Sequence, residues 1–123
     1  MEIEVSIGEI VDKLSILKIK KNNITDNKKL SNINKEHLYL HHKVFQELNV
    51  EESDFNTLYV INEELWSIED KIRVKESNKE FDDVFIELAR LVYITNDKRS
   101  IIKKTINEKY HSNFVEEKSY NSH

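Results

Sequence analysis

Leu58, Ile61, Leu65, Ile68 and Ile72 recur at alternating three- and four-residue spacing, the signature of one apolar stripe on a long helix. The surrounding chain holds no proline and a single glycine, Gly8, so little interrupts helix propagation. This pattern excludes β architectures and commits the chain to an all-α fold.

The 123 residues form one domain, 1–123, large enough to bury roughly two-thirds of its unfolded surface without covalent staples. No cysteine is present, which excludes a disulfide framework and thiolate metal sites. Apolar runs fall far short of the ~20 residues of a membrane span. The start, Met1-Glu2-Ile3-Glu4, has neither the basic end nor the apolar core of a signal peptide. A cytoplasmic protein is expected, with no membrane partner. The formal charge of −4 argues against a nucleic-acid partner, since neutralising phosphates needs a basic surface. Ala89 is the lone alanine among abundant Ile, Lys and Asn, a bias of AT-rich coding sequence.

The pattern reads as four helices after a short extended N-terminus. Ser6 and Glu9 make a capping box that opens helix 1, Ile7 to about Lys21. Its core face is Ile7, Ile10, Val11, Leu14 and Leu17. Ile16 and Ile19 lie opposite, so helix 1 should have two neighbours. Asp26 or Asn27 caps helix 2, which carries Leu30, Ile33, His37, Leu40, Val44 and Leu48 to about Asn49. Ser53 caps helix 3, which runs to about Glu76. Ser77 and Glu80 repeat the capping-box spacing and start helix 4 near 78–81. Its stripe is Phe81, Val84, Phe85, Leu88, Val92, Thr95, Arg99, Ile102 and Ile106. The pattern then lapses into a tail, 110–123, whose Phe114, Val115 and Tyr120 suit docking. Short polar connections imply an antiparallel up-down bundle or two stacked helical hairpins.

Polar residues inside apolar stripes need partners. His37 is expected as a core histidine held by a hydrogen bond; His41, one turn on, has no third ligand to complete a metal site, and no metal or cofactor is expected. Arg99 requires a carboxylate, for which Glu69 or Asp70 of helix 3 are the candidates. Alternatively it is an anion ligand in a cleft with Asn96 and Lys103. Phe55, Tyr59, Asn62, Trp66, Glu69 and Arg73 form a second face on helix 3, in a composition favoured at interfaces. The acidic pairs Glu9/Asp12 and Glu80/Asp83 sit at helix starts, where the helix dipole favours acids without any metal. No phosphate loop or nucleophile elbow is present.

The segments VSIGEIVDKLSILKIK (Val5 to Lys20), NEELWSIEDKIRVKE (Asn62 to Glu76), FDDVFIELARLVYITNDKRSIIKKTIN (Phe81 to Asn107) and VEEKSY (Val115 to Tyr120) span nearly the whole chain. In them the chain resembles a family of small, functionally uncharacterised helical proteins of bacteria and phages. The resemblance implies no known activity. It does imply a docked C-terminal tail and a shared polar network around Thr95-Asn96-Asp97 and Arg99. The chain departs from the family pattern at Ile7 and Ser15, neither of which removes a charge.

The leading expectation is a non-enzymatic interaction or accessory protein that forms a homo-oligomer or binds another protein. Its surfaces would be Phe55, Tyr59 and Trp66 with Ile16 and Ile19. The alternative is a small enzyme or binding protein for an anionic metabolite, held by Arg73, Arg90, Asn96, Arg99 and Lys103.

Overall fold

The computed structural model describes residues 3–111. The VEEKSY segment and Phe114, Val115 and Tyr120, with the expected docking of the tail, lie outside the described residues. The chain folds as four α-helices: α1 (Ile7–Asn23), α2 (Asn27–His42), α3 (Glu52–Ser77) and α4 (Asp83–Lys109). One π-helical turn, Lys43–Glu47, follows α2 directly. The fold is all-α, a bundle of two helical hairpins, α1/α2 and α3/α4.

Caps explain most of the boundaries. Ser6 Oγ accepts the Glu9 N–H at 3.2 Å and starts α1. The reciprocal half of the box is not used, because the Glu9 carboxylate takes Lys103 Nζ at 2.7 Å instead. Asp26 caps α2 by accepting the Lys29 N–H at 2.9 Å. Helix 2 does not continue as one α-helix to Asn49. The π-turn wraps an extra residue, and Asn49 (φ 54°) then ends it in the left-handed region that asparagine tolerates. The change of register sends Val44 and Val50 into the core.

Two expected caps are corrected. Ser53 lies inside the first turn of α3, whose N-cap is Glu51; the Glu51 N–H finds Tyr110 Oη at 2.9 Å. Ser77 and Glu80 do not begin α4. Ser77 is the last residue of α3, and Glu80 N–H returns to the Lys75 carbonyl at 2.9 Å while Lys79 N–H reaches Glu76 at 3.0 Å. This is a Schellman ending with Lys79 (φ 54°) where glycine is usual. Asp82 caps α4 through the Phe85 N–H at 3.0 Å, and Lys75 ties the turn to Glu80 and Asp82.

Helix α1 is the centre of the fold and packs on α2, α3 and α4. Ile19, 3 % exposed, thereby finds the second neighbour its position requires. The core joins Val11 and Leu14 of α1 to Val44, Val50, Phe55, Leu58, Ile61 and Ile106. By contrast, α2 buries no residue completely, and its stripe, His37 included, stays half-buried. Helices α3 and α4 run antiparallel, clasped at one end by Lys109 with Glu51 and Asp54 and at the other by Lys75 with Asp82. Each is about 40 Å long. Only their halves near α1 are well buried: between Trp66 and Ser77 no side chain is buried, and between Asp83 and Ile94 only Leu88 is.

Gly8 marks the closest approach of α1 to α4. Its N–H donates to Asn107 Oδ1 at 2.7 Å, and a Cβ there would lie 2.6 Å from the Lys103 carbonyl oxygen. That neighbour is backbone and cannot swing aside. Gly8→Ala is expected to destabilise the fold by about 1–3 kcal/mol, as overpacking does, despite the better helix propensity of alanine. Urea unfolding of the two proteins measures the difference; equal midpoints would show that the helices separate freely.

Candidate functional site

The polar interior lies between α1 and α4. Ascending α1, residues Gly8, Glu9 and Asp12 meet Asn107, Lys103 and Arg99 descending α4, so the two helices are antiparallel and held by a ladder of polar contacts. Lys103 Nζ bonds Glu9 Oε2 at 2.7 Å with its side chain 8 % exposed. Asp12, 1 % exposed, receives the Arg99 guanidinium on both carboxylate oxygens: Nε donates to Oδ1 at 2.9 Å and Nη2 to Oδ2. Such fork-on-fork pairing is what allows a carboxylate to be buried as an anion.

Helix α3 closes the network. Asn62 Nδ2 donates to Asp12 Oδ1 at 2.9 Å and to Ser15 Oγ at 2.7 Å. The Ser15 hydroxyl donates in turn to the Asp12 carbonyl at 2.7 Å. The four side chains Asp12, Ser15, Asn62 and Arg99 thus come from three helices and fix them against one another. Thr95, 4 % exposed, lies one turn before Arg99 on α4. Asn107 Nδ2 is the buried polar atom left without a partner among the described residues.

Arg99 does not pair with Glu69 or Asp70, as the sequence suggested. Both of those acids lie further along α3 than Asn62, where Arg73 shares them at 3.9 Å and 3.5 Å. Asp12, read from sequence as a helix-start acid, is the true partner. Arg73 and Arg90 are exposed and pair within their own helices, Arg90 with Glu87 at 4.0 Å. Asn96 accepts from Arg99 Nη1 at 3.4 Å, so Asn96, Arg99 and Lys103 share one side of α4. The charges of Arg99 and Lys103 are matched by α1.

The aromatic face of α3 divides in two. Phe55 is buried, stacked on Tyr59 with centroids 6.1 Å apart and edge-on to Phe45 at 5.6 Å. Lys18 Nζ lies 4.5 Å above the Tyr59 ring, and Tyr59 Oη accepts from Asn22 at 3.3 Å. These contacts tie α1 and the π-turn to α3. His37 joins the same row through His41, 5.8 Å between centroids, rather than through a core hydrogen bond. Burial, with Lys21, His41 and Lys18 nearby, lowers its pKa below 6.5.

Trp66 faces elsewhere. With Ile16, Ile19, Asn62, Leu65, Glu69, Asn96 and Arg99 it lines a cleft of about 260 Å³ directly beside the Asp12 network. The structure therefore brings Asn96 and Arg99 together with Trp66, Ile16 and Ile19, residues that the sequence assigned to two different roles. Asn62 was visible in the sequence; its contacts to Asp12 and Ser15 were not. Among the described residues no group of three His, Asp or Glu side chains is placed to hold a metal ion, and no helix is long and apolar enough to cross a membrane.

These features define an all-helical protein built around an internal carboxylate–guanidinium lock, with one small mixed cleft beside it. The chain belongs to the family of unknown function DUF6165, whose model matches residues 1–123. No curated protein and no solved structure matches it.

Asp12→Ala would strip the largely buried Arg99 of its bidentate carboxylate and is expected to destabilise the protein by about 3–5 kcal/mol. Arg99→Lys keeps the charge but loses the fork, and should lose less. Chemical denaturation of both variants ranks them; the reverse order would deny the bidentate contact its role. The α3/α4 clasp is sensitive to pH. Burial raises the Asp54 pKa, but hydrogen bonds from Lys109 and Tyr110 outweigh it and leave the carboxyl below 3.8. Its contribution is therefore complete above pH 3.8 and lost as pH falls through the folded value, because the unfolded chain takes up the proton first. Wild type should lose stability below that pH more steeply than Asp54→Asn, as thermal melts from pH 6 to pH 3 would reveal.

Proposed function

We propose that the protein is a helical interaction module without its own chemistry, and that it works as a homodimer joined through the far end of the α3/α4 hairpin. One observation carries this reading. Past the reach of α1, both helices continue for three turns or so with apolar side chains that no other described residue covers. Val74, Phe81, Val84 and Ile86 are each more than half exposed. Beside them Asp70, Lys71, Val74, Lys75, Val84 and Leu88 line a groove of about 450 Å³.

A second copy suits this surface better than an unrelated partner. The same hairpin end carries both the groove and, beside it, the protruding Phe81 and Ile86 that would fill the groove of a second copy, which is the self-complementarity a two-fold interface needs. Two hairpins laid together make a four-helix bundle, the ordinary way for a helix pair to bury its second face. Charge supports the pairing too. Lys71 stands on the groove's α3 wall and Asp83 and Glu87 on α4, so a copy turned by 180° can set these opposite charges together, while Lys75 stays with Glu80 and Asp82 of its own protomer. The interior cations Arg99 and Lys103 are matched by Asp12 and Glu9, which supports a structural rather than catalytic use of them.

The test is the mass in solution of wild type and of a Val74→Glu/Val84→Glu variant, by light scattering on a sizing column. A wild-type dimer and a variant monomer of equal helicity are expected. A monomeric wild type would overturn the proposal. A dimer indifferent to both glutamates would place the interface elsewhere.

A further inference from the structure

The cleft beside Trp66 has a polarity that the fold itself imposes. The Asp12 carboxylate can only accept, and the Ser15 oxygen, having given its proton to the Asp12 carbonyl, accepts as well. The Asn62 amide must therefore turn its NH₂ towards them, and both protons are used. Its carbonyl oxygen is turned the other way, with no partner among the described residues, on a side chain only 5 % exposed that lines the cleft. That oxygen is reached from the cleft rather than sealed inside, so it is an acceptor that a ligand's donor can take over from water.

The other walls agree. Glu69 brings a carboxylate, 48 % exposed and touched only at 3.9 Å by the exposed Arg73. Trp66 offers an indole face, and Ile16, Ile19 and Leu65 give an aliphatic floor. Arg99 also borders the cleft, but Asp12 cancels its charge through two hydrogen bonds. Carboxylate, open carbonyl and indole are together the chemistry that recognises a protonated amine, by charge-assisted hydrogen bonds and a cation–π contact. An anion in the cleft would face the Glu69 carboxylate.

We propose that the Asn62–Trp66–Glu69 cleft binds a small organic cation, a primary amine carried on a flat apolar body. The volume of about 260 Å³ limits the ligand to roughly a single ring with a short arm. This inference is independent of self-association, since none of the cleft residues lies in the hairpin groove.

Trp66 is the sole tryptophan, so its emission reports the site alone. Phenethylamine, phenylacetate and 2-phenylethanol share one body and differ in charge, and each would be titrated into the full-length protein. A saturable change with phenethylamine, absent or much weaker with the other two, is expected. Glu69→Gln, at an exposed position, should fold normally and weaken the amine about tenfold or more. Phenylacetate binding as well as the amine would overturn the proposal in favour of an anion site at Arg99. A merely linear response to all three probes, or an amine affinity unchanged in Glu69→Gln, would also overturn it.

Discussion

Everything in this structure is placed relative to the Asp12 carboxylate. An unpaired anion at 1 % exposure would carry a large desolvation cost, so its pairing with Arg99 is a condition of folding α1 where it is. The fork geometry then fixes more than a distance. It sets the depth of α1 between α3 and α4 and the rotation of each helix, because Asn62 and Ser15 must meet the same carboxylate. An apolar core of equal volume could be as stable, since desolvation offsets much of the attraction of a buried pair. What the pair provides is a single register among helices whose aliphatic stripes would tolerate several.

That lock is local, and the rest of the protein shows it. Burial is concentrated where α1 crosses the α3/α4 hairpin and declines towards the turn at 78–82. Helix α2 hangs on α1, with Leu38 and Tyr39 about 70 % exposed. Opening should therefore begin at α2 and at the hairpin tip, with α1 and the adjoining halves of α3 and α4 opening last. Most of the large exposed apolar side chains coincide with these less protected parts, while the charged residues nearest the centre are committed to one another.

Periodicity made the helices legible because it is a property of neighbouring residues. Ser6 and Asp26 were readable as caps for the same reason. The failures were also local in origin but settled by competition. Ser77 and Glu80 have capping-box spacing, yet α3, with no proline or glycine to stop it, runs on to a Schellman turn at Lys79 and leaves the cap to Asp82. The partner of Arg99 was hidden for a different reason. A helix-start acid looks sufficiently explained by the dipole, and 87 positions separate it from the arginine. A usable signal did exist: Gly8, Asp12, Ser15 and Ile19 fall on one face of α1 at i, i+4, i+7 and i+11, a small and polar strip that ends in the isoleucine needing a second neighbour. Arg99, Lys103 and Asn107 repeat the four-residue step on α4. Two such strips, one acidic with glycine and one basic with amide, are complementary in size and charge and mark a close interhelical contact.

The lock and the cleft are not separable features. Asn62 belongs to both, and the orientation of its amide in the cleft is dictated by what Asp12 and Ser15 can accept. Arg99 likewise borders the cleft while its charge is held by Asp12, so the electrostatic character of that wall is set by an interior contact. A change that tuned the cleft by inverting either group would loosen three helices at once. The other residues bordering the cleft, Ile16, Ile19, Leu65, Trp66, Glu69 and Asn96, do not hold Asp12 and can vary without that cost. A fold locked in this way keeps the polarity of the cleft's inner wall fixed and leaves the chemistry of its rim free to vary.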